Sequence, residues 1–180
     1  DTVKGCREQG KRLLTLHFCN TNMMLMFLMR DGKADTVVEQ FDMLTGLLGL
    51  EEFHKIFPVI LTDNGSEFKH TRELETTDDG KKRTKVFYCD PQASWQKPQI
   101  EKNHEFIRYV LPKGKTLNPY TQEDITVLMN NINSIRQESL CNKSPYEVTA
   151  DKSILRLMEL MRLHLIPADE IRLTSDLLKR

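Results

Sequence analysis

Asp63 and Glu101 stand where a chain can do acid–metal chemistry, and Asp1 joins them from the first strand. Asp63 follows Phe57-Pro58-Val59-Ile60-Leu61-Thr62, a short apolar run of strand type. It precedes Asn64-Gly65, a pair that favours a tight reversal. A carboxylate is thereby lifted to the C-terminal mouth of a buried strand, where ligands sit in open α/β sheets. On this stretch alone, Asp63 reads equally as a residue that opens a turn or caps the next segment. Glu101 falls in the first turn of a helix that follows a Pro-containing loop. Phosphodiester transfer needs such groups. Two divalent ions about 3.5–4 Å apart clamp the attacking and leaving oxygens. Hard Mg²⁺ takes carboxylate oxygens and keeps several waters. The stretch between Asp63 and Glu101 has room for one loop, one strand and one return, enough to bring the two together.

The elements that must position these acids follow from periodicity. Asp1 to Gly5 ends a strand, Arg7 to Gly10 is a polar turn, and Arg12 to Cys19 is a second strand. Asn20-Thr21-Asn22 turns the chain into Met23–Met29. Two short connections in succession predict an antiparallel meander. Methionine has no β preference, so length and the flanking turns decide for a third strand. Ala34 to Leu50 has helix spacing and Gly49 ends it, with Glu51 to Ile56 as a link to Val59–Thr62. Lys69 to Thr84 reads as an exposed loop or hairpin, and Lys85 to Cys89 as a short strand. Asp90 to Pro98 is a loop stiffened by two prolines, with Trp95 as its anchor. Helices are expected over Gln99–Leu111 and Thr121–Gln137, a short one from Ser144, and an amphipathic one over Ile154–Leu165. On the first, Glu101, Glu105 and Arg108 share one polar face. Ile166 to Arg180 is polar and expected to pack loosely.

Composition is that of an ordinary globular chain: 39% hydrophobic, 29% charged, net charge zero over 180 residues. A nucleic-acid partner is therefore not announced by total charge, and any basic footprint must be local. Between 97 and 115, Lys97, Lys102, Arg108, Lys113 and Lys115 stand against Glu101 and Glu105 only, a local excess suited to phosphates. Lys81, Lys82 and Arg83 form a second run that reads as a solvated loop or a phosphate track. The four cysteines form no CxxC pair, which argues against a zinc module or a disulfide framework. An Asp at position 1 followed at once by strand-like sequence suggests an excised domain whose upstream part is absent.

The set Asp1-Thr2-Val3, Thr62-Asp63-Asn64-Gly65-Ser66-Glu67-Phe68, Cys89-Asp90-Pro91 with Trp95-Gln96, and Glu101 followed by Asn103-His104-Glu105-Phe106-Ile107-Arg108 resembles the catalytic core of DDE transposases. It is most similar to the insertion-sequence-thirty family of bacterial transposases, whose core is of the retroviral-integrase type. The likeness covers roughly residues 1 to 146. It implies an α/β, ribonuclease-H-like fold. That fold has a mixed five-stranded sheet (an antiparallel β1-β2-β3 meander, then β4 and β5) flanked by helices, with a helical C-terminal extension. The implied division is a catalytic core over 1–150 and an extension over 151–180, with the upstream DNA-binding part absent.

The resemblance further implies an enzyme that nicks transposon ends and transfers the 3′-hydroxyl into target DNA. Asp1, Asp63 and Glu101 would be the catalytic and metal-binding set, holding two Mg²⁺ or Mn²⁺ ions. The partner would be double-stranded DNA, with at least a homodimer in the synaptic complex and a bacterial cytoplasmic, nucleoid-associated location. The chain departs from the family at Pro98, where Gly is common, and at Lys102, where Asn is frequent. Glu105 stands where integrases tend to place a DNA-contacting cation. His104 reads as a helix-surface histidine. Two rivals remain at this point: another ribonuclease-H-like nuclease, and a non-catalytic DNA-binding or assembly module built on such a core.

Overall fold

The Arg12–His17 strand (β2) is buried from Leu13 to Leu16 without alternation, as a strand covered on both faces must be. It pairs antiparallel with Thr2–Lys4 (β1) on one edge and with Met24–Met29 (β3) on the other, with Thr2 opposite Leu14 and Leu16 opposite Leu25. The expected meander is therefore present. The molecule is seen in a computed structural model that describes residues 1–6, 10–90 and 98–178. The expected turn at Arg7–Gln9, the Trp95 anchor and Lys97 lie outside the described residues. Met23, Met24 and Met26 are fully buried, filling an irregular core with unbranched, adaptable side chains.

Ala34–Leu48 (α1) turns Val37, Phe41, Leu44 and Leu48 inward at helical spacing. Its start is held by Asp31, which accepts from the Lys33 amide and the Thr36 hydroxyl. Gly49 ends it at φ 80°, a conformation only glycine takes cheaply. The segment expected as a link is instead a second helix, Leu50–Ile56 (α2). Glu51 and Glu52 at its first turn, with His54 and Lys55 at its last, complement the helix dipole, and Phe53 and Ile56 are buried.

Val59–Thr62 (β4) and Lys85–Tyr88 (β5) pair in parallel, with Val59 opposite Lys85 and Thr62 opposite Tyr88. Among the described residues they form a sheet of their own, separate from the meander. The single five-stranded sheet expected from the sequence is thus two sheets. From Asp1 onward, the pairing of β1 with β2 begins at Thr15. Beyond that, the edge of β2 and the outer edge of β4 line a common cavity instead of sharing a ladder. The loop between β4 and β5 holds the short helix Thr71–Glu75 (α3) and a one-residue bridge, Thr76 to Lys82, so the expected hairpin is reduced to that bridge.

Pro98–Val110 (α4), with Ile107 and Val110 buried, packs against Gln122–Ser134 (α5), which itself lies directly on β3. Thr121 and Asp124 make a complete, reciprocal capping box at the start of α5. Ser144 and Glu147 do the same for Pro145–Val148 (α6), and Asp151 caps Lys152–Leu160 (α7). Residues 162–178 carry no helix, but they are not loose. The Ile166 amide donates to Ser134 Oγ, the Arg172 amide to Asn131 Oδ1, and Leu178 is buried. No helix among the described residues is long and apolar enough to cross a membrane.

Candidate active site

Asp63 sits one residue past β4, half-buried, with the Gly65 amide donating to its Oδ1 at 3.2 Å. Asp63 therefore shapes the turn at the end of β4, a strand that is not buried as expected: Val59 and Leu61 are exposed. The turn closes tightly. A Cβ on Gly65 would lie 2.8 Å from Glu67 Oε2 and 3.0 Å from Asp63 Oδ1, so the two carboxylates flank this position and a side chain here would push the Glu67 carboxylate aside. Phe68, buried at the end of the Ser66–Phe68 turn, anchors the loop in the core.

The same loop is tied to β1. Thr2 Oγ1 donates to Glu67 Oε1 at 2.6 Å, and the Thr2 amide donates to Asp1 Oδ1 at 2.7 Å. Burial works to raise the Glu67 carboxyl, but the Thr2 hydroxyl, its own amide and the charges of Lys4 and Arg12 outweigh it and hold the group below its ordinary range. Glu67 belongs to the motif read from the sequence, yet its bond to Thr2 was invisible there, because the partner lies 65 positions away.

Asp1 pairs with Thr15 on β2. The Thr15 amide donates to the Asp1 carbonyl at 2.8 Å, the Asp1 ammonium donates to the Thr15 carbonyl at 3.1 Å, and Thr15 Oγ1 also donates to the Asp1 carbonyl. Thr15 Oγ1 lies 2.9 Å from His104 Nε2. His104 is thus not the surface histidine expected. It is half-buried and fixes α4 against the strand pair that carries Asp1. Its spacing from buried Ile100 and Ile107 was the available signal. Glu101, one turn before His104, and Glu105, next to it, are exposed.

The cavity between the sheets is lined by Asp1, by Thr62 immediately before Asp63, and by Ile100 immediately before Glu101. Of the three acids, Asp1 alone is among the described lining residues. Among the described residues, no group of three His, Cys, Asp or Glu side chains is placed to hold a metal ion. The donors are hard oxygens of the class Mg²⁺ prefers.

The basic residues separate into kinds. Lys82, Lys102, Lys113 and Lys115 are exposed. Lys81 is exposed and paired with Asp79 at 2.7 Å; that ammonium and the Thr77 hydroxyl hold Asp79 at about 2. Arg83 is fully buried. It donates to Asp42, to Thr45 Oγ1 and to the carbonyls of Glu73 and Leu74, and lies over the Phe41 ring, which leaves it no face for a phosphate. Arg108 donates to the carbonyls of Lys4 and Leu111, tying the end of α4 to β1.

Comparison with known proteins gives the family context. No protein-family model matches the chain. The chain is similar to the transposase for insertion sequence element IS4351 of Bacteroides fragilis, 29% identical over 147 residues, which are 82% of this chain and 42% of that protein. It is similar to transposase InsI for insertion sequence element IS30A of Escherichia coli strain K12, 34% identical over 64 residues, 36% of this chain and 17% of that protein. It is also similar to the transposase for insertion sequence element IS1086 of Cupriavidus metallidurans, 31% identical over 88 residues, 49% of this chain and 25% of that protein. The chain spans less than half the length of each of these relatives.

Proposed function

We propose that this chain is the catalytic part of a DNA transposase of the DDE type, with a ribonuclease-H-like architecture. It nicks the ends of a mobile element and transfers the freed 3′-hydroxyl to target DNA. The observation that carries this reading is the Thr2–Glu67 hydrogen bond, which ties the loop that holds Asp63 to the strand that follows Asp1. The similarity to insertion-sequence transposases supports it. Double-stranded DNA is the substrate, met in the bacterial cytoplasm by a synaptic complex of at least two copies.

Mg²⁺ or Mn²⁺ belongs to the proposal. The three acids supply carboxylate oxygens of the right hardness, and bound metal supplies charge for a phosphodiester displacement. An assembled centre requires β1 and β4 to come together. The protein's own contribution is positional: the Glu67–Thr2 hydrogen bond links the two strand ends that carry Asp1 and Asp63.

The test uses the longer protein with donor DNA of defined ends. Asp63→Asn and Glu101→Gln should each lower Mg²⁺-dependent end cleavage by at least about 1,000-fold, the scale on which a single catalytic group counts. Unchanged cleavage by Asp63→Asn would sink the catalytic reading. Joining of a 3′-hydroxyl donor to a plasmid separates a transposase from a nuclease that only cuts.

A further inference from the structure

The turn after β4 carries a reactive pair that the proposed reaction does not use. Of the asparagines in the chain, Asn64 alone is followed by glycine. Asn64 is exposed and lies, with Gly65, outside the helices and strands. An asparagine loses its side-chain amide when the backbone nitrogen of the next residue attacks Cγ. Two things hinder this: a side chain that shields the nitrogen, and a ladder hydrogen bond that fixes the N–H. Neither operates at Gly65. It has no side chain. Its N–H is held by Asp63 Oδ1 at 3.2 Å, the long end of the N–H···O range, and that acceptor belongs to a side chain rather than to a fixed carbonyl. The atoms that crowd Gly65, Glu67 Oε2 and Asp63 Oδ1, are likewise the far ends of side chains. The other exposed asparagines differ. Asn142 is followed by Lys143, whose N–H donates to the Leu140 carbonyl at 3.1 Å. Asn20 precedes Thr21, which is β-branched and buried, and Asn118 precedes Pro119, which has no N–H.

We propose that Asn64 is a site of spontaneous modification, converted through a cyclic imide to aspartate and isoaspartate. The Gly65 nitrogen forms a bond to Asn64 Cγ and gives its proton to solvent. The side-chain nitrogen gains a proton and leaves as ammonia, which closes a succinimide ring. Water then adds to either ring carbonyl and breaks that carbon's bond to nitrogen. Opening at Cγ restores the ordinary backbone with an aspartate. Opening at the α-carbonyl routes the backbone through the side chain, as isoaspartate. Water enters, ammonia leaves, and nothing is oxidised or reduced. Either product puts a new negative charge next to Asp63. Isoaspartate also lengthens the backbone by a carbon just ahead of the amide that Asp63 holds, in the loop that the Thr2–Glu67 bond ties to β1. The inference rests on this turn alone, whatever reaction the chain performs, and its test uses no DNA.

The folded 180-residue chain is held at neutral pH in warm buffer with a chelator and sampled over time, and its peptides are weighed. The peptide with Asn64 should gain the mass of an amide-to-acid exchange first, while those with Asn20, Asn118 and Asn142 keep theirs. Backbone fragmentation should find isoaspartate beside aspartate, as a ring that opens in two directions requires. Gly65→Ala puts a methyl group beside the attacking nitrogen, and Asn64→Gln would have to close a larger ring. Each should lose most of the conversion. Aspartate without isoaspartate would assign the change to direct hydrolysis and overturn the ring. Conversion at Asn64 no faster than at Asn142 overturns the site. So does conversion confined to chain unfolded in urea, which would show that the Asp63 bond protects the folded turn.

Discussion

Arg83 shows how far a single side chain can depart from its local sequence. Lys81-Lys82-Arg83 is one charge run in the chain, yet its third member is fully buried and the first two are exposed. Asp42, which faces it from α1, is 41 positions away, so nothing within the run announces the difference. Removing one partner from a buried, hydrogen-bonded charge leaves the others unpaired. Arg83→Ala should therefore cost about 3 kcal/mol or more in urea unfolding, and Lys81→Ala should leave the midpoint where it is. His17 makes a second residue-scale case. Burial lowers it from 6.5 to about 4. The unfolded chain takes up a proton below pH 6.5 while the folded chain does not until about pH 4, so stability is lost as pH falls through that window. About 2 kcal/mol should be gone by pH 5 in the 180-residue chain, and His17→Gln should flatten that slope. A slope unchanged in the variant would assign it to other groups.

At the scale of elements, the legible parts are those in which one short stretch carries its own instructions. The Thr121–Asp124 and Ser144–Glu147 boxes, Gly49 as a stop and the turn between β2 and β3 are all local, and the structure has each. What failed to read were elements decided at a distance. The α2 helix depends on burying Phe53 and Ile56 against neighbours, and the tail depends on α5. The sequence Asn130-Asn131-Ile132-Asn133-Ser134 looks like a poor helix end. In the fold its polar groups are sockets. Asn133 exchanges hydrogen bonds with both backbone groups of Met24, Asn130 Oδ1 accepts from Tyr146 Oη and the His164 amide, and Ser134 Oγ accepts from Ile166. Truncating such a group leaves buried donors unpaired at about 1–3 kcal/mol. Asn130→Ala should therefore lower stability by that amount and release residues 162–178 to limited proteolysis. A tail equally resistant in the variant would show that apolar contacts such as Leu178 hold it instead.

For the whole molecule, neutrality has to be reconciled with the DNA substrate proposed for it. A net charge of zero gives no long-range attraction, so any phosphate contact must come from a patch. The exposed lysines after α4 are so placed. Gly114 donates to the Gly5 carbonyl, and a Cβ on Gly5 would lie 2.3 Å from the Lys115 carbonyl, so the Lys113–Lys115 turn is pressed against the end of β1 opposite Asp1. The α4 helix presents Glu101 near its start, runs about 13.5 Å further to Val110 at 1.5 Å per residue, and then leads to two cations. That distance spans several phosphates of a duplex, since each strand carries one per about 3.4 Å. The patch would hold DNA along the helix while the acids meet the scissile bond. Each cation engaged with duplex DNA steepens the salt dependence of binding by about 0.9. Lys113→Ala with Lys115→Ala should lower the log–log salt slope by about 2 and weaken binding alike on all sequences, with thermal stability unchanged. Loss confined to element-end sequences would instead make these lysines part of base recognition. An unaltered slope would move the footprint elsewhere, with Lys82 and Lys102 the remaining unpaired candidates among the exposed lysines near the acids.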